Sequence, residues 1–263
     1  MTSRHSQRLR EKLALVLAPA SAASRALWSH PRVAELVPEY LFAVHCSARA
    51  TITLMEAARE RAGELASSDR VAAGVARYLE KHIPEELHHD EWFLEDLEAL
   101  DVPRQRTLSR IPPPTVAAMV GSQYYWALHY HPVALLGFLA VLEGYPASAE
   151  QLEAVITRTG LPRRAFRTLL EHSDLDRDHR DELHRTLDGL PLTTQQSALI
   201  AVSAFATLHL ATCTLEEVVQ SLPPENARDV SWTRRIGRRA ASPAPRAPAR
   251  RPQPTPAPAP SAR

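Results

Sequence analysis

Acidic and histidine side chains are concentrated in one short segment, which reads HIPEELHHDE at positions 82–91. On a helix of about 3.6 residues per turn, His82, Glu85, Glu86 and His89 share one face, because each lies three or four residues from two of the others. Carboxylate oxygens and imidazole nitrogens on one face suit a first-row transition metal. The same letters also describe an ordinary charged helix face in water, so the segment alone leaves both interpretations open.

A single glutamate closes an apolar run further along the chain. Residues 134–142, ALLGFLAVL, contain no polar side chain, and Glu143 follows them directly. A carboxylate buried there is costly unless it is paired, protonated or bound to a metal. The alternative is that Glu143 lies at a helix end and reaches water.

A third group of ligand-type residues has the pattern HxxxDxxH. His172, Asp176 and His179 are spaced four and three residues apart, which again places them on one helical face. Two imidazoles and a carboxylate in this arrangement suit a transition metal, provided that the helix runs through Asp176. The composition around 173 instead indicates a helix break there, and the alternative is an Asp-rich turn with surface histidines.

The elements that must position these groups are helices. Alanine and leucine supply most of the 44% hydrophobic residues, and glycine occurs only 8 times. We therefore expect one all-α domain of roughly seven or eight helices over residues 10–222. In a helical bundle, carboxylates and imidazoles from several helices can form a dinuclear metal site. Apolar periodicity predicts helical segments at 11–27, 33–64, 70–100, 115–131, 133–143, 148–158, 163–173, 176–187 and 194–220.

The C-terminal segment differs from the rest in composition. Residues 231–263 hold eight arginines and no acid, so the remainder has 31 − 8 = 23 basic and 30 acidic residues, a net charge of −7. A net-acidic body argues against nucleic acid as a partner. Proline, alanine and arginine dominate 240–263, and such a segment cannot bury a core. We therefore predict that residues 223–263 are disordered.

Several features favour a cytoplasmic protein. Cys46 and Cys213 are too few for a disulfide framework, which indicates free thiols in a reducing compartment. The N-terminal run Leu13–Ala20 is short, contains Pro19 and follows Glu11, so an amphipathic helix is favoured over a signal peptide. No segment approaches the roughly 20 apolar residues of a membrane span, and no membrane partner is expected.

Taken in order, the histidine-rich acidic helix, the lone glutamate and HxxxDxxH resemble the haem-oxygenase-like di-iron oxidases and oxygenases. The sequences LWSHP at 27–31 and GSQYYW at 121–126 resemble the branch known as iron-containing redox enzymes. The resemblance extends over about residues 27–220. It implies a haem-oxygenase-like helical bundle that binds two ferrous ions and activates dioxygen to oxidise a small organic substrate.

The resemblance also assigns ligands by position. His89 corresponds to the first-helix histidine and Glu143 to the lone glutamate, while the HxxxDxxH residues form the last ligand group. The family usually has a glutamate seven residues before the first histidine, where this chain has His82. Either His82 is itself a ligand, or Glu85 or Glu86 substitutes from the next turn. His88 receives no role.

Other polar and aromatic residues lie on predicted apolar helices. The sequence leaves open whether these residues pack in the core or form the wall of a pocket. Of these, His45 and Tyr125 are expected behind the ligands or in the pocket. The leading functional hypothesis is an iron-dependent oxidase or oxygenase acting on a small molecule, with a homodimer possible. The alternatives are a helical interaction protein, or a metal-free member of the same fold related to the thiaminase-like or coenzyme-synthesis proteins, which would not need HxxxDxxH.

Overall fold

A computed structural model describes residues 4–222, except for the side chains of 174–177. All regular structure in this part of the chain is helical, which confirms the all-α class. The predicted tail lies outside the described residues. The α-helices are α1 (His5–Ala14), α2 (Ala18–Trp28), α3 (Val33–Leu65), α4 (Arg70–Glu86), α5 (His89–Glu98), α6 (Arg104–Leu108), α7 (Pro114–His129), α8 (Leu135–Leu142), α9 (Ala149–Thr159), α10 (Arg167–Gly189) and α11 (Thr194–Gln220), with 3-10 turns at Pro132–Ala134 and Arg163–Phe166.

The long helices α3 and α11 organise the bundle. Helix α3 has 33 residues, a length of about 50 Å, and packs against α4, α5 and α7. Helix α11 packs against α2, α7 and α8. Fully buried side chains such as Leu36, Leu54 and Met55 line the core face of α3, and each contributes roughly 1.5–3 kcal/mol of transfer free energy. Both helices therefore serve as the frame on which the shorter helices are held.

Helix α8 approaches α11 unusually closely at Gly137. A β-carbon at this position would lie 2.2 Å from the carbonyl oxygen of Ile200 and 2.9 Å from the amide nitrogen of Ala204. Only glycine permits this contact without a shift of one helix. Because Glu143 is the C-terminal cap residue of α8, the contact also fixes where that carboxylate lies.

The expectation that no segment approaches the apolarity of a membrane span is wrong for α11. By length and composition, this helix alone among the described ones could cross a membrane. Its polar side chains are mostly uncharged serines, threonines and glutamines, which leave its overall apolarity high. Ser203 donates to Gln123 Oε1 at 2.9 Å, and the Gln123 amide donates to Thr207 at 3.2 Å. These buried bonds and its packing make α11 a core helix of this bundle.

The predicted helix 70–100 is divided in two. Helix α4 ends at Glu86, Leu87 is extended, and His88 adopts a left-handed conformation with φ 75° before α5 begins at His89. Pro84 lies two residues before this end and cannot donate a backbone hydrogen bond. His89 therefore does not lie on a continuous helical face with the α4 residues, although the sharp turn keeps it next to them.

The predicted break near residue 173 is absent. Helix α10 runs without interruption from Arg167 to Gly189, so His172 and His179 lie on one helical face, as the metal-ligand interpretation required. The predicted helix 11–27 is instead divided into α1 and α2, with Pro19 in the first turn of α2. Proline is favoured at that position because its missing N–H would be unpaired there in any case.

Asp69 caps the N-terminus of α4. Its Oδ1 accepts hydrogen bonds from the backbone N–H groups of Val71 at 2.7 Å and Ala72 at 3.0 Å. Its Oδ2 lies 3.0 Å from Nε2 of His131, beyond the end of α7. Burial raises the pKa of Asp69, but these hydrogen bonds outweigh it and the pKa is lowered. The ionised side chain therefore holds two parts of the bundle together.

We expect the substitution Asp69→Ala to lower the free energy of unfolding by about 1–2 kcal/mol, the usual cost of losing a capping side chain. Urea unfolding measures this, with the exposed neighbour Ser68→Ala as the matched control. Because the pKa of Asp69 is depressed in the folded state, the difference should be present near pH 7 and shrink as the pH falls below about 4. Equal stability of the two variants at pH 7 would contradict the capping role.

Candidate metal centre

Four helices bring seven ligand-type side chains together in the core, and we refer to them as the carboxylate–histidine cluster. Helix α4 contributes three of them at its C-terminal end, α5 one at its first residue, α8 one at its end, and α10 two from its middle. The members are His82, Glu85, Glu86, His89, Glu143, His172 and His179. Positions 82 to 89 meet because α4 ends in a sharp turn, and the two α10 histidines because that helix is continuous.

His82, Glu85 and His179 form the first group of the cluster. The Oε2 atom of Glu85 lies 3.5 Å from Nδ1 of His82 and 3.9 Å from Nε2 of His179. The two imidazole rings meet edge to face with centroids 4.9 Å apart. One donor atom from each residue lies within 4.8 Å of the others, a spacing that could hold a metal ion.

Glu86, His89 and His172 form the second group, and their donor atoms also lie within 4.8 Å of one another. The Oε2 atom of Glu86 lies 3.1 Å from Nδ1 of His89. The rings of His89 and His172 meet edge to face at 4.8 Å, and Phe93 stacks against His172 at 6.2 Å. Aromatic packing thus restricts the orientation of these imidazoles.

Glu86 connects the two groups. While its Oε2 faces His89, its Oε1 lies 3.2 Å from Nδ1 of His179, which belongs to the first group. One carboxylate thus faces both groups with its two oxygens. The sequence left His82, Glu85 and Glu86 as alternatives for one ligand, and the side chains of all three residues reach the cluster.

Glu143 lies beside the first group and is buried, so the alternative in which it reaches water does not hold. Its side chain comes from the end of α8 and is 8% exposed. Its Oε1 lies 3.0 Å from Nε2 of His82. Its Oε2 is buried and has no hydrogen-bond partner among the described residues. A buried carboxylate oxygen without a partner is costly, which points to a group that it would contact.

The carboxylates and imidazoles of the cluster shift one another's pKa values. Burial raises the pKa of Glu86, but hydrogen bonds from His179 and His89 outweigh it and hold that pKa well below its usual range. The hydrogen bond that His179 donates to Glu86 also raises the pKa of His179 to about 9. Burial raises the pKa of Glu143 despite its bond to His82. In the metal-free protein, Glu86 is therefore ionised and His179 keeps its proton at neutral pH.

The donor set fits a pair of first-row transition metal ions. At metal–ligand distances of roughly 2.1 Å, adjacent donors stand about 3 Å apart. The contacts between donor atoms in the cluster range from 3.0 Å for His82 and Glu143 to 3.9 Å for His179 and Glu85. Mixed imidazole and carboxylate donors suit iron, and the partnerless Oε2 of Glu143 offers one further ligand atom.

The sequence also predicted roles for Asp176, His45 and Tyr125. The side chain of Asp176 lies outside the described residues. His45 is buried, and its Nδ1 contacts the carbonyl oxygen of Asp90 at 3.1 Å; burial lowers its pKa, so a neutral ring fixes the residue next to His89. Tyr125 is 63% exposed on the outer surface of α7. It does not line the pocket, which corrects that expectation, because its position faces away from the core.

Tyr78 is a neighbour of the cluster that the sequence analysis did not identify. Its ring stacks on His82 with centroids 5.2 Å apart. It is 4% exposed, and its hydroxyl has no hydrogen-bond partner among the described residues. Its spacing of four residues before His82 was the available signal, since residues four apart share a helical face.

A cavity of about 940 Å³ adjoins the cluster. The side chains of His82, Glu86, His89, Glu143 and His172 form part of its wall, and apolar residues of α2, α3, α7, α8 and α11 form most of the remainder. A volume of this size accommodates a small organic molecule. The cluster is therefore accessible to a substrate, while all of its ligand-type residues except the exposed Glu85 are buried or partly buried.

A family model described as iron-containing redox enzyme matches residues 38–212. The chain belongs to this family. The match covers most of the described residues and includes every member of the carboxylate–histidine cluster. No curated protein sequence matches the chain.

Solved structures show the same haem-oxygenase-like fold for this family member. A domain of unknown function from Shewanella denitrificans with a heme oxygenase-like fold has a TM-score of 0.60 and 20% identity, covering 79% of this chain and 91% of that one. A TenA homolog from Pseudomonas syringae pv. tomato has a TM-score of 0.59 and 17% identity, covering 80% and 93%. A CADD-like protein of unknown function from Nostoc punctiforme has a TM-score of 0.58 and 15% identity, covering 82% and 97%.

We expect the stability of the metal-free family member to fall as the pH rises from neutral to alkaline. The pKa of His179 is raised to about 9, above its unfolded value of about 6.5. The contribution of protonated His179 to the free energy of unfolding is fully present below about pH 6.5 and is lost as the pH passes about 9. Urea unfolding at several pH values should show a steeper loss for wild type than for His179→Gln. The exposed His88→Asn variant, which suits the left-handed position, should keep the wild-type slope; equal slopes for wild type and His179→Gln would contradict the assignment.

Proposed function

We propose that this chain is an iron-dependent oxidase or oxygenase that uses two ferrous ions and dioxygen to oxidise a small organic substrate. The observation that carries the proposal is the pair of ligand groups joined by Glu86. Each group contains two imidazoles and a carboxylate, and Glu86 has one oxygen facing each group. Membership of the family of iron-containing redox enzymes supports iron as the metal.

The proposed ligands divide between the two ions. His82, Glu85 and His179 would hold one ion, and Glu86, His89 and His172 the other. Glu143 would join the first ion through its partnerless Oε2, and Asp176 is proposed from the HxxxDxxH pattern alone. When bound, the ferrous ions supply the electrons and open coordination positions that dioxygen activation requires.

The residues of this chain orient the ligands and keep water away from them. His82 is held between Tyr78 and Glu143, and His172 between His89 and Phe93. His45 fixes the backbone next to His89 through the carbonyl oxygen of Asp90. Such neighbours set ligand orientation and usually change metal affinity 10–100-fold when removed, an order-of-magnitude effect. The apolar walls of the cavity exclude water from the substrate.

A cytoplasmic location is part of the proposal. Cys46 and Cys213 are free and partly buried, and burial raises the pKa of the Cys46 thiol to about 11. Unreactive free thiols are typical of proteins in a reducing compartment.

The first test of the proposal is metal content. Anaerobic loading of the full chain with ferrous iron, followed by gel filtration and elemental analysis, should give about two irons per chain. The variant His89→Ala should lose iron, because an imidazole of the second group is removed. His88→Asn is the matched control and should load like wild type, since His88 is exposed and outside the cluster. Iron at background level in reconstituted wild type would overturn the proposal.

A second test separates a metal ligand from a structural acid. Glu143→Gln keeps the size of the side chain and its bond to His82 but removes the carboxylate. The metal-free variant should unfold within about 1 kcal/mol of wild type, because an amide costs less to bury than a carboxylate. The stabilisation of wild type by ferrous iron should be lost, because binding to the native state is what raises the melting temperature.

The control for this experiment is Glu150→Gln, which changes an exposed glutamate of α9. This variant should retain the full iron-dependent rise in melting temperature. If Glu143→Gln also retains it, Glu143 is not a ligand. If the metal-free variant instead loses about 3–5 kcal/mol, the carboxylate is a structural partner in a buried pair.

A further inference from the structure

The outer sides of α7 and α11 form one uncharged surface. The two helices lie side by side and antiparallel, because Thr115 at the start of α7 pairs with Thr214, and Tyr130 just beyond its end pairs with Gln195. Helix α7 contains no Asp, Glu, Lys or Arg, and residues 194–215 of α11 contain none either. We refer to the solvent-facing residues of these two stretches as the outer α7–α11 face.

This face exposes large apolar side chains. Tyr125 is 63% exposed, Leu128 40% and Val202 51%. Small residues continue the same surface, because Ala118 lies seven residues before Tyr125 and Ala206 four residues after Val202. The first of these alanines is exposed and the second is partly buried. A contiguous apolar surface of this kind marks an interaction site.

Opposite charges lie at the two ends of the α11 part of this face. Glu216 follows the uncharged stretch directly and is exposed. At the other end, Arg8 and Lys12 of α1 line a cavity of about 250 Å³, and Thr194 and Ala198 of α11 line the same cavity. An acidic end and a basic end make a helix face complementary to a second copy of itself that runs antiparallel.

We propose that the outer α7–α11 face binds a second copy of this chain through a two-fold interface, in which the two α11 helices pack antiparallel. A pairing centred between Ala204 and Phe205, the middle of residues 194–215, aligns the two uncharged stretches completely. Glu216 lies as far after this middle as residue 193 lies before it. Each Glu216 therefore faces the basic end of the other copy's α11. The association needs no iron and is independent of the proposed function.

The size of the face fits a reversible dimer. Helix α7 has 16 residues, so its length is about 24 Å, and two neighbouring helices are together about 20 Å wide. The face therefore covers roughly 500 Å² per copy and about 1,000 Å² for the pair, which is the lower limit for a specific interface.

The charges favour a second copy over other occupants of the face. An anionic membrane would be attracted by the basic end but repelled by Glu216 at the opposite end. The arginine-rich segment 231–263 would meet no carboxylate along the uncharged stretches. A second copy is the occupant that satisfies both ends at once.

Sedimentation velocity of the full chain over a range of concentrations tests the proposal. The chain should pass from monomer to dimer with a dissociation constant in roughly the micromolar range, because the interface is small. Val202→Glu should weaken dimerisation about tenfold or more, since it places an unpaired charge inside the interface. Leu108→Glu is the matched control, because it adds the same charge at a site on α6 that is 44% exposed. This control should dimerise like wild type, and a wild-type chain that is monomeric at every concentration would overturn the proposal.

Exchange of the end charges tests the antiparallel orientation without changing the apolar part of the face. Glu216→Lys alone, and Arg8→Glu together with Lys12→Glu, should each weaken the dimer several-fold. The triple variant should recover most of the wild-type affinity. Within one copy, position 216 lies roughly 25 Å or more along α11 from Ala198 beside the basic end, so a pair inside one chain does not explain recovery. A triple variant that stays as weak as its parents would overturn the orientation.

Thiol crosslinking tests the register. Ala206 lies near the proposed two-fold axis, so Ala206→Cys should give a covalent dimer with a short bismaleimide. The native Cys213 should not link to its copy, because the two thiols would be about 25 Å apart along the paired helices. Crosslinking of wild type through Cys213, or none in Ala206→Cys, would overturn the register.

The same variants identify any other occupant of the face. A monomer that floats with neutral or anionic vesicles, and stops doing so in Val202→Glu, would assign the face to a membrane. A monomer in which the Ala206→Cys thiol is protected from a maleimide would assign it to the C-terminal segment of the chain. Either result would overturn the proposal.

Discussion

The contact on which the rest of the site depends is the pairing of the partly buried Glu86 carboxylate with imidazoles on two other helices. Its oxygens face His89 at the start of α5 and His179 in the middle of α10, so one α4 side chain connects three helices through the core. A buried charge is tolerated only where such partners compensate its lost hydration. The turn after α4, the continuity of α10 and the orientation of the imidazole rings all serve this arrangement.

The surrounding bundle supplies the rigidity that these polar contacts require. Gly137 allows α8 to touch the backbone of α11, and this contact places Glu143 beside His82. Aromatic rings then pack against the imidazoles, with Tyr78 on His82 and Phe93 on His172. Polar groups in the core add little net stability by themselves. The apolar contacts of α3 and α11 provide the stability. This stability compensates for the free-energy cost of holding carboxylates and imidazoles close together in the core.

The fold by itself does not decide the function of this family member. Its haem-oxygenase-like fold is shared with a TenA homolog and with a CADD-like protein at identities of 20% or less. Function depends on the residues placed in the shared frame. In this chain those residues are four imidazoles and three carboxylates beside a cavity whose other charged groups are arginines. These groups, rather than the shared fold, are the basis of the proposed iron-dependent oxidation.

The sequence by itself determined the helical class and the residue types of the carboxylate–histidine cluster, because periodicity and ligand chemistry are local properties. It left His82, Glu85 and Glu86 as alternatives for one ligand and indicated a break near 173 that is absent from α10. Those points depend on contacts between distant helices, which local spacing does not contain. Tertiary structure alone decided that Glu86 faces both ligand groups, that Glu143 is buried, and that Tyr125 lies outside. Each of these follows from how α4, α8 and α10 pack, and packing is set by the whole core.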